Sequence, residues 1–262
     1  MDVWERVKWD VRRLYHQGKK VVLRRKIGES WVDRGGFRKR EYPDYETYVE
    51  HQKTKFSALR SKSVEGHDRR FHASLSARLA GMPHDFAGAS VLCLAARQGS
   101  EVRAFIDQGA FAVGIDLNPG VKNPYVVVGD FHDLQYAADS VDWVYTNSLD
   151  HAFDLDRILG EVKRVLRPTG GFIVEANVSS EDGAAPAGPY EAMVWDDIEP
   201  LVARIRVHGF AVETRQPFER PWVGEQFVFR LEPGDPAARA GSEERAGSAE
   251  RAGSTERPDP GG

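Results

Sequence analysis

Apolar residues come along most of this chain in short blocks, separated by longer stretches that repeat at helical spacing. Val91, Leu92 and Leu94 predict a strand buried on both faces. Ala95 to Gly99 is a turn of small and polar residues. Val102, Phe105 and Ile106 then recur at helical spacing, and Gly109 closes the helix. Phe111 to Ile115 is a second block and ends at Asp116. Tyr125 to Val128 is a third, followed by Gly129-Asp130-Phe131, and Val141 to Thr146 a fourth, followed by Asn147-Ser148. Leu155, Ile158, Leu159, Val162, Val165 and Leu166 predict a helix, stopped by Pro168, Gly170 and Gly171. Phe172 to Ala176 is a fifth strand. A helix carrying Ile198, Leu201, Val202 and Ile205 ends at Gly209, and Phe210 to Thr214 and Gln226 to Leu231 complete seven strands. This alternation predicts an α/β fold with a doubly wound, mostly parallel sheet and ligands at the carboxyl ends of its strands.

The flanks read differently. Trp4, Val7, Val11 and Leu14 predict a short amphipathic helix before Gly18, and residues 19–37 predict a hairpin turning at Gly28-Glu29. Asp44 can cap a helix carrying Tyr45, Tyr48, Val49, Gln52, Phe56 and Leu59. A further helix, about His67 to Leu79, leads into the alternating region. Residues 178–193 are rich in Gly, Pro and Ala and predict a loop of the kind that covers pockets. Arg239 to Glu256 repeats RAGS-x-E three times with almost nothing apolar to bury, which predicts disorder.

Five segments, in order, resemble the class I S-adenosylmethionine-dependent methyltransferases, of the type carrying the common methyltransferase domain. They are VLCLAARQGSEV, GID, GDFHDL, DWVYTNSLDH and LRPTGGFIVEA. The resemblance covers about residues 86–231. It implies a last strand antiparallel to the rest, S-adenosylmethionine as cofactor, and three regions: a basic cap or substrate segment at 1–80, the cofactor-binding core at 81–231, and the tail at 232–262. By the same resemblance the cofactor site comprises the turn residues Ala95, Ala96, Arg97 and Gly99, with Asp116 on the ribose and Leu117 against the adenine. Asp130 and Phe131 would meet the adenine amino group and ring face, and Asn147 and Ser148 would lie beside the amino-acid end. His151 or Asp150 would take a proton from the acceptor, histidine titrating near neutrality. Tyr45, Tyr48 and His51 are candidates for the substrate wall, together with Gln52 and Lys55.

The first motif departs from the family pattern. Cys93 stands where an acid is usual, and Ala95 and Arg97 replace two of three alternating glycines. A Cβ restricts φ at a tight turn. Arg97 either pairs with a nearby carboxylate or holds the carboxylate of the cofactor's methionine end.

Composition narrows the choice. The 262 residues are enough for one sizeable domain with appendages, and 41% hydrophobic content supports a core. No apolar run suits a membrane span or a secretory leader. The single cysteine, Cys93, sits in an apolar block as a core residue, which suits a cytoplasmic protein. No Cys/His spacing suggests a metal. Net charge is −4, but residues 1–80 carry 20 Lys/Arg against 11 Asp/Glu and the remainder 16 against 29. The acidic remainder argues against nucleic acid and for a small-molecule acceptor; the basic segment keeps RNA open as a lesser option. Two other functions stay in view. One is a non-catalytic methyltransferase-like protein whose basic segment binds a partner. The other is a nicotinamide-dependent oxidoreductase, against which the single-glycine turn argues.

Overall fold

The structure is a computed structural model and describes residues 30–55, 62–177 and 189–233. The helix expected at Trp4–Leu14, most of the Gly/Pro/Ala-rich loop and the RAGS repeats lie outside the described residues.

The main sheet has seven strands: β3 (Ser90–Leu94), β4 (Phe111–Asp116), β5 (Val126–Val128), β6 (Val141–Thr146), β7 (Leu166–Ala176), β9 (Phe210–Phe218) and β10 (Gly224–Leu231). Their order is β5-β4-β3-β6-β7-β10-β9. The first five run parallel, and β10 is antiparallel to both β7 and β9. Fold class and antiparallel last strand are therefore as the sequence predicts. Alternate residues of each strand face opposite sides. Leu92, Leu94, Val144, Phe172 and Val174 pack on one side against α4 (Leu155–Val165) and α5 (Glu199–Val207). Val91, Cys93, Trp143, Tyr145 and Ile173 pack on the other against α2 (Lys62–Ala80) and α3 (Ser100–Asp107). Cys93 is fully buried, as expected of a core residue. β7 starts earlier than Phe172 because Leu166 to Gly171 stays extended beside β6, through a register shift between Val141 and Trp143.

A second, small antiparallel sheet was not visible in the pattern. It joins β1 (Trp31–Arg34), β2 (Phe37–Arg40) and β8 (Met193–Val194). A hairpin among the described residues turns at Gly35-Gly36; the turn expected at Gly28-Glu29 lies outside the described residues. Its two-residue loop needs positive φ at both positions, and two glycines supply it (φ 58° and 86°). α1 (Tyr45–Lys53) begins as expected at Asp44, whose carboxylate accepts from Thr47 N. α1 ends at Lys53; Phe56 and Leu59 lie outside the described residues. The segment after β7 returns over α1: the Tyr190 carbonyl accepts from Gln52 Nε2, and Ala192 N donates to the Asp150 carbonyl.

Candidate functional site

A cavity of about 390 Å³ opens at the carboxyl ends of β3, β4, β6 and β7. This is where the strand order reverses, β4 lying on one side of β3 and β6 on the other. Ligands of doubly wound sheets bind in this crevice.

Its floor is the turn between β3 and α3. Ala95, Arg97 and Gly99 all have positive φ, at 52°, 40° and 79°. The left-handed conformation costs an L-residue about 1–2 kcal/mol. Hydrogen bonds from all around hold the turn against that cost. Ala96 N donates to the Ile115 carbonyl at 2.9 Å, Arg97 N to Asp116 Oδ2 at 3.0 Å, and Asn123 Nδ2 to the Arg97 carbonyl at 3.0 Å. The alternating left-handed pattern thus survives at two non-glycine positions. At Gly99 it has no substitute, since a Cβ there would lie 2.7 Å from Tyr125 Cβ. Ala95, Ala96, Arg97 and Gln98 line the cavity, and Gly99 caps α3 behind them.

Asp116 also lines the cavity, with Oδ1 accepting from Asn118 N at 2.7 Å. An ionised carboxylate has about four acceptor positions, so Asp116 can hold the turn and still accept from a ligand diol. Leu117, Gly129 and Phe131 continue this wall. Asp130 does not. Its Oδ1 accepts from His132 N and Nδ1, both at 2.9 Å, and its Oδ2 from the Tyr45 hydroxyl. His132 Nε2 accepts from Asp154 N, which puts the ring proton on Nδ1. Burial raises the Asp130 pKa, but these hydrogen bonds outweigh it and hold the carboxyl below its usual range. Asp130 thus stands beside the cavity lining, its carboxylate engaged by Tyr45 and His132.

The other end of the cavity is framed by Asn147, Ser148, Asp150 and His151 after β6, Lys55 after α1, and Glu191. His151 Nδ1 faces the Tyr190 carbonyl at 2.9 Å and therefore carries the proton. Nε2 then accepts from Lys55 Nζ. Both ring nitrogens of His151 are therefore engaged. Burial pushes its pKa down, Asp150 opposing and Lys55 adding to the effect. Desolvation by the surrounding protein lowers the Lys55 pKa, against the pull of Asp150. Asp150 lies 3.8 Å from His151 Nε2.

Of the three substrate candidates, Tyr48 alone reaches the cavity, and its hydroxyl donates to the His151 carbonyl at 2.9 Å. Tyr45 serves Asp130. His51 packs face to face with Tyr190 (centroids 5.1 Å apart) behind the cavity, with Nδ1 3.0 Å from the Tyr42 hydroxyl. Gln52 and Lys55 do line it.

Other wall residues escaped the sequence reading. Asp68 and Phe71 come from α2, Glu101 from α3 and Glu175 from β7. Two had a readable signal. Glu101 shares a helical face with Ala104 and Phe105, and Asp68 one with Phe71 and Leu75, so each is an acid on an apolar stripe. Burial raises the Glu101 pKa to about 8. Glu175 has no such signal; Arg78, Tyr145 and Gln226 all hydrogen-bond its carboxylate.

The sheet order and the crevice above β3 define a doubly wound α/β ligand-binding protein. Residues 92–174 match the family model of the methyltransferase domain, and the fold is that of the class I S-adenosylmethionine-dependent methyltransferases. Solved structures agree. A Burkholderia thailandensis 1,6-didemethyltoxoflavin-N1-methyltransferase, with bound 1,6-didemethyltoxoflavin and S-adenosylhomocysteine, superposes with a TM-score of 0.56 at 17% identity, covering 79% of this chain and 97% of its own. A chain from the complex of the Haloferax volcanii Trm112 methyltransferase activator with a methyltransferase gives 0.52 at 22% identity, covering 68% and 100%. A Pyrococcus horikoshii protein gives 0.50 at 17% identity, covering 68% and 95%. No curated protein matches by sequence.

Proposed function

We propose that the protein binds S-adenosylmethionine in this cavity and transfers its methyl group to a small-molecule acceptor. The observation that carries the reading is the turn. Its left-handed pattern is kept at Ala95, Arg97 and Gly99 despite two lost glycines, and it is tied to Asp116 at the end of β4. The residues present suit the cofactor: an acid for the ribose diol, Leu117 and Phe131 for the base, and polar side chains beside the turn. When bound, the cofactor supplies a methyl group already activated by its sulfonium. The chain's part is to place the acceptor beside Asn147 and Asp150, to exclude water, and to take up any proton released; positioning supplies much of the rate. His151 serves in this reading by fixing Lys55. A cavity of about 390 Å³ favours a small acceptor, and the bound small molecule in the Burkholderia protein of the same fold supports that class. The reading makes residues 1–80 the cap over residues 81–231. It places the protein in the cytoplasm, for which the lone buried cysteine argues; among the described residues no helix is long and apolar enough to cross a membrane.

Calorimetric titration with S-adenosylhomocysteine, with NAD(H) in parallel, tests it. Micromolar binding of the first alone is expected. Binding of NAD(H) instead would make the protein an oxidoreductase, and binding of neither would make it a non-catalytic relative.

A further inference from the structure

The end of the cavity away from the turn holds a cation and a bare acceptor that the fold fixes but does not use. Lys55 is exposed and lines the cavity. Its Nζ donates one of three N–H groups to His151 Nε2, and it makes no ion pair among the described residues. His151 can hold it because the Tyr190 carbonyl takes the Nδ1 proton and leaves Nε2 as an acceptor. A neutral ring thus fixes the ammonium without cancelling its charge. Glu191 stands in the same lining, its carbonyl accepting from Arg40 Nε at 3.0 Å. Its side-chain Oε2 is buried and has no hydrogen-bond partner among the described residues. Leaving a buried acceptor unsatisfied costs about 1–3 kcal/mol. The spare lysine N–H groups and the bare carboxylate oxygen ask for a ligand carrying both opposite partners.

We infer that the methyl acceptor is a hydroxy-aromatic compound bound as its oxyanion, with Lys55 on the oxyanion and Glu191 accepting from a neighbouring donor group of the same molecule. The inference rests on the cofactor reading above and names the acceptor class for it. A phenol ionises at about pH 10, as tyrosine does. One opposite charge lowers that by about 1–3 units, which reaches the neutral range; an aliphatic hydroxyl stays out of reach. The charges facing Lys55 are those of Asp150, Glu191 and Asp116, which favour its proton, and Arg97, which opposes them. A protonated amine would meet Lys55 and Arg97 as like charges. Tyr48, Phe71 and Trp222 bring rings to the cavity wall, which suits a planar ligand. An oxyanion needs no base at the moment of transfer. Its lone pair forms the O–CH3 bond as the CH3–S bond breaks, the pair of that bond goes to sulfur, and an ether and a neutral thioether result with no proton left to remove. Lys55 and Glu191 both lie outside the matched domain at 92–174. Acceptor choice is thus written in the segments that pack onto the domain.

The test uses two coloured probes, 4-nitrophenol and 4-nitrocatechol, whose anions absorb visible light. The second adds a neighbouring hydroxyl. Each is titrated into the full chain saturated with S-adenosylhomocysteine, whose own binding is measured by calorimetry. Wild type is expected to lower the ionisation midpoint of both probes by about one pH unit, a tenfold preference for the anion. It should bind 4-nitrocatechol about tenfold more tightly than 4-nitrophenol, the scale of a hydrogen bond to a charged group. Lys55→Met should abolish the midpoint shift for both probes while S-adenosylhomocysteine still binds. Glu191→Ala should bring 4-nitrocatechol down to the level of 4-nitrophenol without weakening the latter, and it guards against misfolding of the first variant. Absence of probe binding in a wild type that binds S-adenosylhomocysteine overturns the inference while the cofactor reading stands. So does a midpoint shift that survives Lys55→Met, or a Glu191→Ala variant that weakens both probes equally or neither. A folded wild type that does not bind S-adenosylhomocysteine overturns the cofactor reading and the inference together.

Discussion

The two ends of the cavity are built on different principles. The turn end stands on consecutive parallel strands: Asp116 ends β4, the turn follows β3, and hydrogen bonds between them hold both. The acceptor end is assembled from pieces far apart in sequence: Lys55 after α1, His151 after β6, and Tyr190 and Glu191 beyond β7. The first is set by strand order and short loops. The second exists only when the cap helix and the returning segment pack together. In the proposed function the turn end takes the cofactor and the other end the acceptor.

The comparison can be broken by substitution. The largest effect is expected for Asp116→Ala, which should weaken S-adenosylhomocysteine binding by about 1–3 kcal/mol, the scale of hydrogen bonds to a charged group. Unchanged affinity in a folded variant would remove Asp116 from the ribose. Next comes Gly99→Ala. The left-handed φ alone costs about 1–2 kcal/mol, and the new Cβ meets Tyr125. Chemical denaturation should show a loss of at least that size.

Glu101 sharpens the contrast through pH. Its folded pKa of about 8 lies above its ordinary 4.5. Between these values the folded state binds the extra proton, so stability falls as pH rises through the window and levels off above it. Glu101→Gln should therefore raise the melting temperature more at pH 9 than at pH 5. An equal shift at both would show that Glu101 titrates normally.

The smallest effect on cofactor affinity is expected at the far end. Lys55→Met should leave S-adenosylhomocysteine binding within about twofold of wild type, well under the tenfold of 1.4 kcal/mol. A loss as large as that of Asp116→Ala would merge the two ends into one site.

Legibility follows the same division. Strand order, the turn and Asp116 were readable because apolar blocks and helical spacing are local, and short connections leave few topologies. The bond from Tyr45 to Asp130 was not readable because Tyr45 lies in α1, far from Asp130 in sequence. The partners of His151 were not readable because neither the Tyr190 carbonyl nor Lys55 is near it in sequence. Asp68 and Glu101 lay in between: each stood as an acid on an apolar stripe, a pattern that marks a buried polar site without naming its ligand.

A crystal structure of the protein grown with S-adenosylhomocysteine tests the central claim most directly. The account predicts ribose hydroxyls on Asp116, the base between Leu117 and Phe131, and the amino-acid end at Arg97 above the turn. Ligand density elsewhere, or a cavity left without ligand at saturating concentration, would contradict it.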